Sequence, residues 1–367
     1  MVRSVIVGSG SCIPPNKVTN EMLSRIMDAD DDWIRERSGV RCRYFVEEGT
    51  TTSDLGVEAA RAALEDAHIN KEDLDLIIFA TMTPDYYFPG CGSLLQAKLG
   101  APEIPCFDIR QQCAGFLYGM QLADAYIRSG MAKTVLLVGA EVHTGFMPWT
   151  AENYEYMYSR SATPPTPEEL EWNNRFRNIT VLFGDAGAAV VIRAEESAEG
   201  DEESHGVGKN KNRGVIDCIL RTNGTDFDRL YVSGVGFKHR PYVSAATIRE
   251  GGHIPEMKGS YVYRSATNSM AAVAREMLTR HGLGIDDLSL VLMHQANLRI
   301  NERVQKMLEI PDEKIIHNIQ KYGNTTAATI PLLWDEAART DRIHPGDLIL
   351  MVAYGAGMNW GALLLRA

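Results

Sequence analysis

The feature that most constrains this 367-residue chain is that it repeats itself at one fixed offset. Leu64, Asp73 and Leu74 lead into the apolar run 76–79, and Leu278, Asp287 and Leu288 lead into the run 290–293; 278 − 64, 287 − 73 and 290 − 76 all equal 214. The same offset sets residues 134–139 against 348–353 and residues 5–7 against 219–221. With little identity between the copies, what recurs is a unit of structure. Each copy alternates short Val, Ile and Leu runs with helical periodicity, as in Leu55, Ala59, Ala62 and Ala63 or Ala271, Ala274 and Met277. That pattern predicts mostly buried strands covered by helices. The expected architecture is two similar α/β halves about a pseudo-twofold axis. The first half spans 1–194, a charged Gly-containing linker 195–214, and the second half 215–367. The copies lose step once: the first carries an insert at about 141–180 before Ala186, whereas the second passes directly through Tyr354 to Gly357 into its last apolar run.

A duplicated α/β fold brings two sets of strand ends and helix N-termini toward one central cleft, which is where ligands gather in such sheets. The residues expected at those ends are chemically specific. His294 directly follows the run 290–293, in HQAN, and Asn324 opens NTTAATIP before an apolar helix. Moving back 214 positions from Ala327 gives Cys113, in FDIRQQCAGF, ahead of another helix. A thiol at a helix N-terminus feels the positive end of the dipole, so its pKa is expected to fall and its nucleophilicity to rise. Taken singly, each residue has an ordinary reading as a buried thiol, a core imidazole or a turn; their convergence on one cleft is what points to catalysis.

Composition removes several other functions. The net charge is −11, which argues against wholesale binding to nucleic acid or to an anionic membrane. No run approaches the length of a membrane span. The six cysteines lack CxxC spacing and suggest a reducing, cytoplasmic setting. No second ligand stands at metal spacing from His294, so neither a metal nor another cofactor is expected. A serine-hydrolase elbow is missing, and the GSGS at 8–11 lacks the full pattern of a phosphate loop.

The Cys, His and Asn contexts, with WIRERSGV at 33–40, TPDYYFPG at 83–90, GDAGAAV at 184–190, MKGSYVYRSA at 257–266 and YGAGMNWGA at 354–362, resemble the 3-oxoacyl-acyl-carrier-protein synthase III family, ketosynthases of the thiolase superfamily. The resemblance runs over nearly the whole chain. It implies a thiolase-like five-layered α/β/α/β/α fold. It also implies that Cys113 takes an acyl group from acyl-CoA, with the backbone N–H groups of Cys113 and Ala356 as the oxyanion hole. His294 and Asn324 would stabilise the enolate formed when a malonyl thioester, on a carrier protein or on CoA, loses carbon dioxide.

By the same resemblance Trp33 and Arg37 clamp CoA, together with a further arginine in or beside the insert, and Asn297 touches the pantetheine arm. Phe88 reaches into the acyl pocket of a partner in a homodimer. Arg299, Arg303 and Lys306, at i, i+4 and i+7, form a basic helix face suited to an acidic carrier protein, diluted by Glu302 and Glu309. Two other functions stay open at this level. One is acyl transfer to an alcohol or amine, or condensation in a specialised pathway, to which the unusual insert points. The other is a catalytically silent acyl-binding subunit. Chain length and branching of the acyl group are not legible.

Overall fold

The computed structural model describes residues 2–196 and 213–367. Two sheets carry the architecture. The first is built from β1 (Val2–Cys12), β2 (Leu76–Ala80), β3 (Cys106–Ile109), β4 (Thr134–Glu141) and β5 (Ala186–Glu196), in the order β1-β5-β4-β2-β3. The second holds β6 (Gly214–Thr222), β7 (Leu290–Met293), β8 (Leu348–Gly355) and β9 (Asn359–Arg366), in the order β7-β8-β9-β6. Strands β2 and β7 begin 290 − 76 = 214 residues apart, and β4 and β8 begin 348 − 134 = 214 apart. In each sheet one parallel pair, β2 with β4 and β7 with β8, is followed by a returning strand that pairs antiparallel, β5 on β4 and β9 on β8.

The helices that matter for the site are α1 (Asp31–Ser38), α2 (Thr52–Ala67), α3 (Gly115–Arg128), α4 (Ala151–Met157), α5 (Pro167–Thr180), α6 (Gly259–Arg280), α7 (Leu298–Leu308) and α8 (Thr329–Arg339). Because side chains alternate across a strand, each sheet buries both faces. Leu76 and Ile78 of the first sheet and Leu290 and Leu292 of the second point inward onto α3 and α8, through Phe116, Leu117, Met120, Ile330, Leu333 and Trp334. Ile77 and Phe79 face outward onto α2, while Val291 and Met293 face outward onto α6 and α7. The layers are therefore helix, sheet, helix pair, sheet, helix. Truncating a central side chain such as Leu292 to Ala would cost about 2–5 kcal/mol.

Local signals start and stop these helices. Thr51 and Asp54 form a capping box at α2, and Asp30 caps α1 by accepting from the Trp33 N–H at 2.7 Å. Helix α1 ends at Gly39, whose φ of 81° and close contact with Leu298 leave no room for a Cβ. Inside the insert, Thr166, Pro167 and Glu169 open α5.

The halves differ from a strict duplication in three places. The segment from Val142 to Asp185, holding α4 and α5, separates β4 from β5, where Ala356 to Met358 alone separate β8 from β9. Strand β3 of the first sheet has no full counterpart, and a single bridge from Val291 to Ile315 stands where β3 pairs β2 through Ile77. The chain leaves the sheet early there because Gln295 Oε1 accepts from the Asn318 and Ile319 N–H groups and turns it into a short helix. Finally, of the stretch read as a charged linker, Glu195 and Glu196 extend β5, Gly214 opens β6, and 197–212 lie outside the described residues.

Candidate active site

The 3₁₀ turn Gln112–Ala114 carries Cys113 immediately before α3, and the turn Thr326–Ala328 stands immediately before α8, 326 − 112 = 214 residues on. Both turns open on a left-handed residue, Gln112 at φ 45° and Thr326 at φ 50°. That conformation is costly for any residue with a Cβ, and most of all for a β-branched one, so two matched strained turns mark a place where the surrounding fold dictates the backbone. Strand β8 ends against the first of them. A Cβ on Gly355 would stand 2.9 Å from Cys113 N and 3.0 Å from Cys113 Cβ, so only glycine lets the Gly355–Ala356 backbone come this close.

A cavity of about 790 Å³ opens from the surface to these turns, lined by Cys113, His294, Asn324, Thr326 and Ala356 together with Phe146, Phe183, Phe227, Met257 and Tyr263. The insert and the segment 222–256 both supply its apolar wall, through Ile179 and through Leu230, Tyr231 and Val232.

His294 continues from β7, its backbone N–H donating to the Val352 carbonyl at 2.9 Å. The side chain is 2% exposed and neither ring nitrogen has a partner in the protein. Burial holds its pKa down at about 3, so the ring is neutral and carries one N–H to offer the cavity. A buried polar group without a protein partner is unusual outside functional sites. Asn324 is fixed differently. Its Oδ1 accepts from the Thr326 N–H at 2.9 Å, which settles the amide orientation and leaves the N–H₂ as its free donor. Its backbone is pinned to the end of the insert, the N–H donating to Leu182 and the carbonyl accepting from Gly184.

The electrostatics of Cys113 reverse the sequence expectation. Burial pushes the Cys113 thiol up to about 12, and the Glu141 charge pushes the same way; the backbone N–H of Cys113 and the Thr326 hydroxyl pull it down by less. The helix-end argument is local, whereas the desolvation comes from the second half of the chain closing over the turn. Glu141, fully buried, was not singled out from sequence. It accepts from Thr81 Oγ1 at 2.9 Å, Thr83 Oγ1 at 2.6 Å and the Met82 and Thr83 N–H groups, and burial lifts its own pKa to about 7. The one signal in the sequence is an acidic residue closing the otherwise apolar run Thr134–Ala140.

On α1, Trp33 is half-buried, with the exposed Arg37 guanidinium 4.4 Å from its ring centre. Arg177 of α5 lies 5.1 Å from the same ring. Asn297 faces the cavity, but the helix takes up its side chain: Oδ1 accepts from the Arg299 N–H and Nδ2 donates to the Arg37 carbonyl at 2.8 Å. It thus caps α7 and ties it to α1 while lining the cavity. Arg299, Arg303 and Lys306 lie on the exposed face of α7, opposite the buried Ile300, Val304 and Leu308. Phe88 is 78% exposed beside Tyr86 and Tyr87, and Tyr87 packs edge-on to Phe237 and Tyr242. Among the described residues no helix is long and apolar enough to cross a membrane.

Comparison with known proteins returns the 3-oxoacyl-[acyl-carrier-protein] synthase III family. The model described as 3-Oxoacyl-[acyl-carrier-protein (ACP)] synthase III matches residues 107–163, and its C-terminal companion matches residues 278–367. The chain is 38% identical over 366 residues to the beta-ketoacyl-[acyl-carrier-protein] synthase III of Rhizorhabdus wittichii, with 100% of both chains covered. It is 40% identical over 367 residues to the protein of the same name from Rhodospirillum rubrum, again covering 100% of both. Among solved structures, 3-oxoacyl-[acyl-carrier-protein] synthase III from Aquifex aeolicus superposes with a TM-score of 0.78 at 35% identity, over 99% of this chain and 100% of that one. The priming beta-ketosynthase of the R1128 polyketide pathway superposes at 0.82 with 27% identity, over 99% and 96%.

Proposed function

Because the chain belongs to the beta-ketoacyl-[acyl-carrier-protein] synthase III family and is an acyltransferase of that type, we propose that Cys113, His294 and Asn324 are the residues through which it works. The Cys113 sulfur attacks the thioester of an acyl-CoA, and the acyl group moves to the enzyme as CoA leaves. The N–H groups of Cys113 and Ala356, set side by side by the Gly355 contact, hold the oxyanion. A malonyl thioester, carried by acyl carrier protein or CoA, then binds with its carbonyl toward His294 and Asn324. As its carboxylate leaves as carbon dioxide, their N–H groups stabilise the enolate, whose carbon attacks the acyl-Cys113 carbonyl. Collapse expels the thiolate and releases a 3-oxoacyl thioester.

One observation carries this reading. In a single apolar cavity a thiol faces a neutral imidazole with no protein partner and an amide whose oxygen is already taken. Transfer to an alcohol or amine needs a base, which a ring held near pKa 3 is not, and that favours carbon–carbon bond formation. The likeness to a priming polyketide synthase supports a second pathway for the same chemistry, a specialised one beside fatty-acid synthesis.

Trp33 with Arg37 and Arg177, tied to the cavity lining through the bond from Asn297 to the Arg37 carbonyl, supplies a ring and two guanidinium groups, a match for a nucleotide base and its phosphates. Arg177 is thereby assigned as the arginine expected near the insert. The basic face of α7 is the docking surface for an acidic carrier. A homodimer is supported by β3, which among the described residues pairs only β2 and leaves its outer edge open, and by the exposed Phe107, Tyr86, Tyr87 and Phe88. A cytoplasmic location is supported by six unpaired cysteines.

The test is product analysis after acyl-CoA and malonyl thioester are mixed with the enzyme. Carbon dioxide and a 3-oxoacyl thioester are expected in equal amounts; acyl esters or amides without carbon dioxide would refute the reading.

A further inference from the structure

The cavity that holds Cys113 gathers positive charge in an acidic protein. Arg110, Arg264 and Arg299 line it and no Asp or Glu does, although the whole chain carries −11. Arg264 and Arg299 belong to α6 and α7, on the side of Asn297, which bonds to α1 and so to Trp33. Arg110 belongs to the other half, directly after β3, and the mechanism gives it no part. Its position has a counterpart. Arg110 lies 324 − 110 = 214 residues before Asn324, so the repeat that sets an amide donor in the cavity from the second half sets a guanidinium at the matched turn of the first.

This guanidinium is held in place without being used up. It lies 5.2 Å from the ring centre of Tyr87, and Tyr87 packs edge-on to Phe237 at 5.4 Å and Tyr242 at 5.5 Å. Among the described residues no carboxylate pairs with Arg110, which leaves its N–H donors for a ligand. Two residues on, Gln112 lines the same cavity. Its Oε1 accepts a long bond of 3.5 Å from Asn359 Nδ2, and its N–H₂ stays available. The Thr83 hydroxyl in the same wall is spent on Glu141 at 2.6 Å. Donors without an anion therefore stand at this end, against a wall that is otherwise apolar through Phe146, Ile179, Leu182 and Phe183.

We infer that Arg110, with the Gln112 amide beside it, recognises a carboxylate at the far end of the acyl group, so that the acyl donor is the CoA thioester of a short dicarboxylic acid; this takes Cys113 as the acylated residue. With CoA on the Trp33 side and the thioester carbon at Cys113, the rest of the acyl chain runs toward the strand ends of the first half, where Met82, Thr83, Arg110 and Gln112 stand. Arg110 and Cys113 are three residues apart, at most about 11 Å between Cα atoms, a reach that suits a short chain. The planar fork of a guanidinium matches a carboxylate in charge and shape. The malonyl carboxylate is the wrong occupant, because it must leave as carbon dioxide and an arginine partner would stabilise the ground state it has to quit. During transfer the Cys113 S–C bond forms, the bond from the acyl carbon to the CoA sulfur breaks, and the thiol proton ends on the CoA thiol. The distant carboxylate is unchanged.

Two thioesters of equal carbon count test the assignment, adipyl-CoA and hexanoyl-CoA, each supplied below its KM without any malonyl thioester while adduct on the Cys113 peptide is followed by mass. The wild-type chain should take the adipyl group faster. Arg110→Met, which keeps the length of the side chain, should cut the adipyl-to-hexanoyl rate ratio by roughly 10- to 100-fold, and Arg110→Lys, with the charge but not the fork, should fall between. A purely structural defect slows both donors alike and leaves the ratio where it was. Faster labelling by hexanoyl-CoA in wild type, or a ratio that Arg110→Met does not move, would overturn the diacid assignment; an unmoved ratio with a lower oligomer mass in light scattering would give Arg110 to a contact between copies instead. Label absent from Cys113 with both donors, or retained in Cys113→Ala, would refute the nucleophile itself and is told apart by the labelled peptide.

Discussion

The turn before α3 and the turn before α8 have the same backbone and opposite duties. Each opens on a left-handed residue and feeds a buried helix, and positions 214 apart exchange chemistry: Cys113 stands against Ala327, Ala80 against His294, and Arg110 against Asn324. Duplication supplied the geometry twice, and in the proposed mechanism substitution then gave the nucleophile to one half and the hydrogen-bond donors to the other. The lesson is that the pseudo-twofold axis sets where reacting groups meet, while which half holds the acyl group depends on a few side chains.

The sharpest way to break this comparison is to move the nucleophile. Cys113→Ala should abolish condensation, with a loss on the order of 10⁴-fold or more. Adding Ala327→Cys should restore nothing, because the sister turn faces its own half's donors. Assays of 3-oxoacyl product would show it, and recovery in the double variant would mean that the halves are chemically interchangeable.

Next in size, His294→Ala and Asn324→Ala should each slow malonyl decarboxylation by roughly 10²- to 10³-fold, about 2.7–4 kcal/mol per lost donor, while leaving the acyl-enzyme step nearly intact. Stopped assays that score carbon dioxide and protein adduct separately measure this. Equal losses in both steps would erase the division of labour.

A smaller effect is expected beside Trp33. Arg177→Ala should raise KM for acyl-CoA by about 2- to 30-fold with kcat kept, as fits the loss of one guanidinium–ring contact. Steady-state kinetics at saturating extender would read it.

The smallest concerns pH. The folded-state pKa of His294 lies near 3, below its ordinary 6.5, so its share of stability is present above pH 6.5 and drains as pH falls toward 3. Glu141, raised to about 7, acts in the opposite sense, losing its share as pH rises from 4.5 through 7, and it is common to both proteins compared. The fall in Tm between pH 6.5 and 4 should therefore be shallower in His294→Ala than in wild type, by calorimetry.

Much of this was legible before any coordinates. The constant offset depends only on where apolar runs begin, and Cys113, His294 and Asn324 sit beside those runs, so the duplicated fold and the central triad follow from spacing and motif. What was hidden depends on contacts between distant segments. Arg177 meets Trp33 across 177 − 33 = 144 positions, and no periodicity in α5 announces it. Glu141 reads as the end of a strand until Thr81 and Thr83 close on it. The direction of the thiol's pKa shift was misjudged for the same reason, since the helix end is local and the burial is not.

The most direct measurement of the central claim is intact and peptide mass after brief exposure to an acyl-CoA. One acyl group per chain, confined to the peptide bearing Cys113 and discharged by a malonyl thioester, is the predicted result. An acyl group found on another residue, or an adduct on Cys113 that malonyl thioester leaves untouched, would contradict it.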